Sequence, residues 1–314
     1  MRLSRLVSLM LTAGCPTVGG QAVLEGVMMR NGDAYALALR RPDGEIVARR
    51  MPWFSLTRHP WLKKPFVRGF PVLIETLVNG IKALNRSAEH QAEGTEEELK
   101  GWHLVLTLLL SLAMAVGLFV VVPHLLSLLM QWLELGGGVE GLTFHLWDGL
   151  FKCLIFMGYI WAISFVPDIR RVFQYHGAEH KCINCIEHGL PLTVDNVRIS
   201  SRQHKRCGTS FLFFVLAISI ILLMLIQVES PLMRVIVRIA LIPVIAGISY
   251  EVLKLAGRSE NPIINLLSRP GLAIQKLTTK EPDDSMIEVA IQAVEAVFDW
   301  RAYEAENFKT AEDL

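Results

Sequence analysis

The chain has 314 residues, of which 52% are hydrophobic and only 19% charged, with a formal net charge of +1 and a mean hydropathy of +0.39. Such a chain is too apolar for an ordinary soluble domain, and its balanced charge excludes nucleic acid as an expected partner. Charge gathers before Trp102, between Pro167 and Arg206, and after Glu251, and these blocks alternate with segments nearly free of it.

Residues 1–15 carry Arg2 and Arg5, a short apolar stretch and the ending Leu-Thr-Ala-Gly-Cys, which resembles a lipoprotein cleavage box. Cleavage there would place a strongly basic segment outside the cell, so the expectation is a short amphipathic lead-in on the inner face. Residues 19–50 read as a small β-meander of three strands: an apolar run from Val23 to Met29, the turn Asn31-Gly32, an alternating stretch at 35–40, the turn Pro42-Asp43-Gly44, and 45–49. Residues 65–86 place Phe66, Phe70, Leu73, Leu77, Val78, Ile81 and Leu84 on one helical stripe, suited to the membrane interface or to packing on spans. A polar, acidic linker follows at 89–100.

Four segments approach the roughly 20 apolar residues that a helix needs to cross a bilayer: 102–122, 146–166 with Lys152 inside it, 211–228 and 232–250. The last holds Pro243 at its middle and Arg234 and Arg238 in its first turns, where arginines snorkel to the headgroups. Lys and Arg are abundant before Trp102, including Arg30, Arg40, Arg41, Lys63, Lys64 and Arg68, and absent from 127–141. The positive-inside rule then places both termini and the block 167–210 in the cytoplasm, with Glu251 at the membrane level of His176. Near the C-terminus, 261–277 reads as short helical pieces broken at Pro270-Gly271. Asp283-Asp284-Ser285 with Glu288 forms a capping box that opens an amphipathic helix through Val289, Ile291, Val294, Val297 and Phe298.

The expected fold class is therefore mainly α: a polytopic helical membrane protein of about four transmembrane helices with a small β-meander. Its expected organisation is a cytoplasmic N-terminal region (1–100), a transmembrane hairpin (101–166), a cytoplasmic block (167–210), a second hairpin (211–250) and a cytoplasmic helical tail (251–314).

The central block holds the candidate chemistry. In His176-Gly-Ala-Glu179-His180-Lys181, two imidazoles and a carboxylate at spacings 0, 3 and 4 share one helical face, as a hydrolytic zinc site requires. If 173–188 is helical, Glu187 joins that stripe, and a second helix capped near Thr193 brings up His204 and Cys207. Three readings stand open. In the first, His176 and His180 bind zinc with a third ligand from His204 or Glu251, while Glu179 acts as base beside an open coordination position. In the second, Cys182-x-x-Cys185 pairs with His204-x-x-Cys207 in a closed structural site. In the third, the histidines meet headgroup phosphates beside Arg170, Arg171 and Lys181. The five cysteines suit a reducing compartment.

Several motifs carry a resemblance to a known family. They are Gly-Gly-Gln-Ala-Val-Leu-Glu-Gly-Val-Met-Met-Arg at 19–30, Tyr-His-Gly-Ala-Glu-His-Lys at 175–181, the pattern from Leu192-Thr193 through His204 to Cys207-Gly-Thr-Ser-Phe211, and Gln275-Lys-Leu-Thr-Thr279 with Glu281-Pro-Asp-Asp284. Together they closely resemble the YqhQ-like family of bacterial membrane proteins, over almost the whole chain. The resemblance implies a multi-pass protein of the bacterial cytoplasmic membrane and a predicted metal-dependent enzyme, with His176, Glu179, His180, Glu187, His204 and Cys207 as the functional set. It disfavours Cys182 as a ligand and leaves Glu25 either in a site or buried and paired with an arginine such as Arg30.

The function expected is a metal-dependent hydrolase at the cytoplasmic membrane face, acting on a membrane-associated peptide or lipid. Glu179 is the expected catalytic residue, and His176, His180, His204, Glu251 and Cys207 are the candidate ligands for zinc or another divalent metal. The rival is a non-enzymatic membrane scaffold or insertion factor with a structural metal.

Overall fold

The computed structural model describes residues 16, 18–92, 101–135, 141–226, 231–258 and 261–308. The expected lead-in at 1–15 and most of the acidic linker lie outside the described residues. Four strands, β1 (Gly19–Val23), β2 (Gly26–Asn31), β3 (Ala34–Arg40) and β4 (Ile46–Pro52), form an antiparallel sheet in that order. The meander is thus four-stranded rather than three-stranded, because the apolar run at 23–29 folds back on itself through a two-residue turn. Glu25 takes φ of 50° there, and its carboxylate is pinned by Arg171, with Nε to Oε1 at 2.5 Å. A long-range ion pair therefore holds a turn whose left-handed residue is a glutamate, not the Gly26 that follows it.

Strand alternation sends Val27, Met29, Ala36 and Ala38 to one side and Val23, Met28, Tyr35, Leu37 and Leu39 to the other, all buried. The first set packs against helices α5 (Pro167–Glu187) and α10 (Asp284–Glu295). The second meets Trp53 and Ala83, the latter on helix α1 (Gly69–Ala92). The sheet is consequently a central layer, and each fully buried Val, Ile or Met in it contributes about 1.5–3 kcal/mol. Helix α10 is capped by Asp283, whose carboxylate accepts from Met286 N at 3.0 Å, and it buries Met286, Ile287, Val289, Ala290, Ala293 and Val294. The expected amphipathic helix is present there, with Ile287 on its buried face, but it ends at Glu295, before the expected Val297 and Phe298, and Glu288 pairs with Arg40 instead of completing a capping box.

Helix α2 (Gly101–Val116) runs through a π-helical turn, Gly117–Val121, into α3 (Val122–Trp132); α4 is Leu142–Ile163, α6 is Val194–Ile199, α7 is Gly208–Leu225 and α8 is Pro231–Ala256. Among the described residues, four helical stretches are long and apolar enough to cross a membrane: Leu109–Trp132, Leu142–Ile163, Gly208–Leu225 and Ile236–Ala256. Their outward residues, among them Leu110, Met114, Trp161 and Leu225, are exposed. The first runs on to Trp132, beyond the expected end at residue 122, with Pro123 accommodated just after the π-helical turn, where the regular hydrogen-bond ladder is already interrupted.

The tail differs from expectation at Pro270. Helix α9 (Pro262–Thr278) is continuous through it, where two pieces were expected. Proline costs about 3 kcal/mol inside a helix, and tertiary packing offsets this. Gly271 lets α9 approach α7, since a Cβ there would stand 2.8 Å from Ser210 Oγ, and Gln275 bonds across to the same serine at 2.9 Å. The helix α11 (Trp300–Asn307) closes the described chain.

Candidate metal centre

Helix α5 begins at Pro167, earlier than the expected 173, and carries His176, Glu179 and His180 on one face. Gly177 allows that face its neighbours: a Cβ at 177 would collide with the Lys280 carbonyl. His176 Nδ1 lies 2.9 Å from the Thr278 carbonyl, and His180 Nδ1 lies 2.6 Å from the Arg202 carbonyl. A carbonyl only accepts, so each Nδ1 carries a proton, which in a neutral imidazole leaves the Nε2 lone pair available to a metal. This is the tautomer that metal-binding histidines adopt when the other ring nitrogen donates to the protein.

The third donor is Cys207. It caps helix α7, its Sγ accepting from Thr209 N at 3.4 Å, a position where the helix dipole favours negative charge. Its Sγ is 3.3 Å from His176 Nε2, and the two rings of His176 and His180 meet edge to face at 4.4 Å between centroids. His176, His180 and Cys207 each offer one ligand atom, and these atoms all lie within 4.8 Å of one another. Donors around a tetrahedral zinc at 2.0–2.3 Å stand roughly 3.3–3.8 Å apart, so the widest separation allowed closes by about 1 Å. The two nitrogens and one sulfur suit zinc.

Glu179 stands beside this group, its Oε2 3.5 Å from His180 Nε2, and only 3% of the residue is exposed. Burial raises its pKa above the ordinary carboxylate value, opposed by His176, His204 and a hydrogen bond from the Gly20 backbone. Burial lowers the His180 pKa, which keeps that imidazole neutral, as a ligand must be. Gly20 belongs to the site for a steric reason: a Cβ there would stand 2.6 Å from the Met28 carbonyl and 2.9 Å from Glu179 Cγ.

The remaining candidates fall elsewhere. His204 sits behind His180, ring centroids 5.8 Å apart, with its Nε2 3.1 Å from Glu187 Oε2. Glu187 also pairs with Arg206, and although burial opposes its charge, His204 and Arg206 hold its pKa below the ordinary value. Glu251 lies outside the cluster, bound instead by Arg68 at 2.7 and 2.6 Å. Cys182 is fully buried in the apolar core and Cys185 points to the Leu190 carbonyl at 3.4 Å. Burial pushes the Cys182 thiol well up and the Cys185 thiol to about 11. The helical twist sends them away from Cys207, and among the described residues no two-cysteine knuckle forms. Glu25 pairs with Arg171, not with Arg30.

Sequence reasoning assigned no site role to Gln275, which is wholly buried. Its Oε1 accepts from His204 N and its Nε2 donates to the His204 carbonyl, both at 2.8 Å, fixing the segment that leads to Cys207. The usable signal was a glutamine on a helical face of mostly small and polar residues, which it shares with Ser268, Gly271, Ile274 and Thr278.

The donors and Glu179 line a cavity of about 760 Å³, completed by β1, β2, α1, the first turn of α7 and the end of α8. The chain belongs to the family described as "Protein of unknown function (DUF1385)", whose model matches residues 64–300. It is similar to an "Uncharacterized protein YqhQ" of Bacillus subtilis (strain 168), with 39% identity over 316 residues covering 95% of this chain and 98% of that one. No solved structure matches.

Proposed function

We propose that this protein is a multi-pass protein of the bacterial cytoplasmic membrane that binds zinc or another divalent ion through His176, His180 and Cys207 and hydrolyses a membrane-associated substrate. The observation that carries this reading is the convergence of two histidine Nε2 atoms and one sulfur beside a buried carboxylate, at the wall of a cavity. A divalent ion held by these three residues would supply Lewis acidity. The residues do the rest. Glu179, with its raised proton affinity, takes the proton from the attacking water and returns it to the leaving group. The Thr278 and Arg202 carbonyls hold both imidazoles in their ligand tautomer. Arg170, Arg171, Arg198, Arg202 and Arg206 around the site suit the cytoplasmic side.

One feature favours the rival scaffold reading. The donors come from α5 and the cap of α7, tied to α9 through Thr278, so an ion would also staple three elements together. Complementation separates the two. Glu179→Gln keeps shape and ligands but cannot act as base; under hydrolysis it retains metal and loses function at matched membrane levels, as His176→Ala does by losing metal. A functional, metal-loaded Glu179→Gln protein would end the hydrolase reading.

A further inference from the structure

The cavity has walls of two kinds. Against the metal donors stand Phe211 and Leu212 of α7, which lie one helical turn beyond Cys207, together with Leu253 near the end of α8. Leu212 is 48% exposed, and both helices belong to the set apolar enough to cross a membrane. An apolar chain entering along α7 therefore reaches the donors within about 5.4 Å of helix rise.

The sheet contributes another part of the lining, where Arg30 stacks over Trp53 with its guanidinium carbon 4.0 Å from the ring centroid. Its Nε donates to the Gly32 carbonyl at 3.1 Å. Its Nη2 stands 3.9 Å from Glu75 Oε2, beyond hydrogen-bond reach. Glu75 is instead occupied by Leu56 N, Thr57 N, Ser55 Oγ and Trp53 Nε1. Arg30 is thus held by the Trp53 ring and the Gly32 carbonyl while its guanidinium lines the cavity, an arrangement suited to an oxyanion. The edge of β1 is poorly placed to capture an extended peptide, because α5 packs along it and the Gly20 N–H is spent on Glu179.

We propose that the cavity takes an anionic amphiphile from the bilayer, its acyl portion along Phe211, Leu212 and Leu253 and its charged group on Arg30. This rests on the membrane and hydrolase reading above and names its substrate class. The volume lies within the roughly 300–1,000 Å³ typical of small-molecule sites.

The test uses the full chain in neutral detergent, metal-free and carrying Glu179→Gln, titrated with a fluorescent alkyl phosphate and with the alkyl phosphocholine of the same chain length. Saturable binding is expected, about tenfold tighter for the phosphate. Arg30→Gln should bring the two within twofold, and Arg30→Lys should keep most of the preference. Leu212→Asp should weaken both at least fivefold. A diazirine at the alkyl terminus should label the segment holding Phe211 and Leu212 or that holding Leu253, a readout that needs no variant at the cavity wall. Equal binding of both probes, an unchanged preference in Arg30→Gln, or labelling elsewhere overturns the proposal. So does displacement by inorganic phosphate alone, which marks a free-anion site, or by a peptide alone. If the probe binds but Glu179→Gln supports function in cells, the hydrolase reading fails and the ligand assignment stands; absent binding with an inactive Glu179→Gln protein gives the reverse.

Discussion

Arg68 and Glu251 form a two-pronged ion pair, with Nε to Oε1 at 2.7 Å and Nη2 to Oε2 at 2.6 Å, that ties the start of α1 to the end of α8. The pair is reinforced where Gly69 packs beside the Ala246 carbonyl, a Cβ there standing 2.6 Å from it. Glu251 is therefore a fastening, and its distance from the metal donors is a matter of which helix it must hold.

Glu251→Gln should accordingly leave bound metal unchanged while lowering stability by about 1–3 kcal/mol, the cost of stranding a half-buried arginine. Metal analysis and thermal unfolding of the same preparation check both halves. Loss of metal in this variant would return Glu251 to the ligand set.

His180→Ala and Cys207→Ser should each reduce metal affinity by about tenfold or more, since one of three protein ligands is lost or weakened. Cys182→Ser should keep the metal. Its effect falls on stability instead, because a hydroxyl replaces a thiol in an apolar core. Metal loss in Cys182→Ser would favour the cysteine knuckle.

Gln275→Leu should lower metal affinity by about 10–100-fold although residue 275 touches no ligand atom, because the segment from His204 to Cys207 loses both of its clamping hydrogen bonds. Equilibrium zinc competition with a chelator measures this; wild-type affinity would show that the segment holds itself.

Glu75 predicts an acid response. Burial works to raise its pKa, yet hydrogen bonds from Thr57, Trp53 and Ser55 hold it below the ordinary glutamate value. A folded pKa below the unfolded one contributes stability that is present above about pH 4.3 and lost as pH falls through the folded value. Wild-type stability should therefore drop on acidification below about pH 5, while Glu75→Gln starts lower and changes less over that window. Parallel slopes in the two proteins would refute the assignment.

Topology is testable by reporter fusions. The basic block around α5 predicts a cytoplasmic signal at Asn184 and an external one at Gly137. An external signal at Asn184 would displace the site from the cytoplasmic face.

The spacing of His176, Glu179 and His180 was legible in the sequence because a helix has one period, and any residues three and four apart share a face. The apolar helices were legible for a similar reason: a run of about 20 residues without charge has few ways to fold. Thr193 and Asp283 announced their helices because capping is a local bond. Partners distant in the chain were decided only by tertiary structure. Glu25 found Arg171 rather than Arg30, and Arg68 claimed Glu251, because ion pairing depends on where whole helices dock. Pro270 stayed within α9 because packing against α7 outweighed a local preference. Cys207, not His204 or Glu251, joined the two histidines as the candidate third donor for the same reason: His204 was turned toward Glu187, and the cap of α7 left the cysteine facing His176.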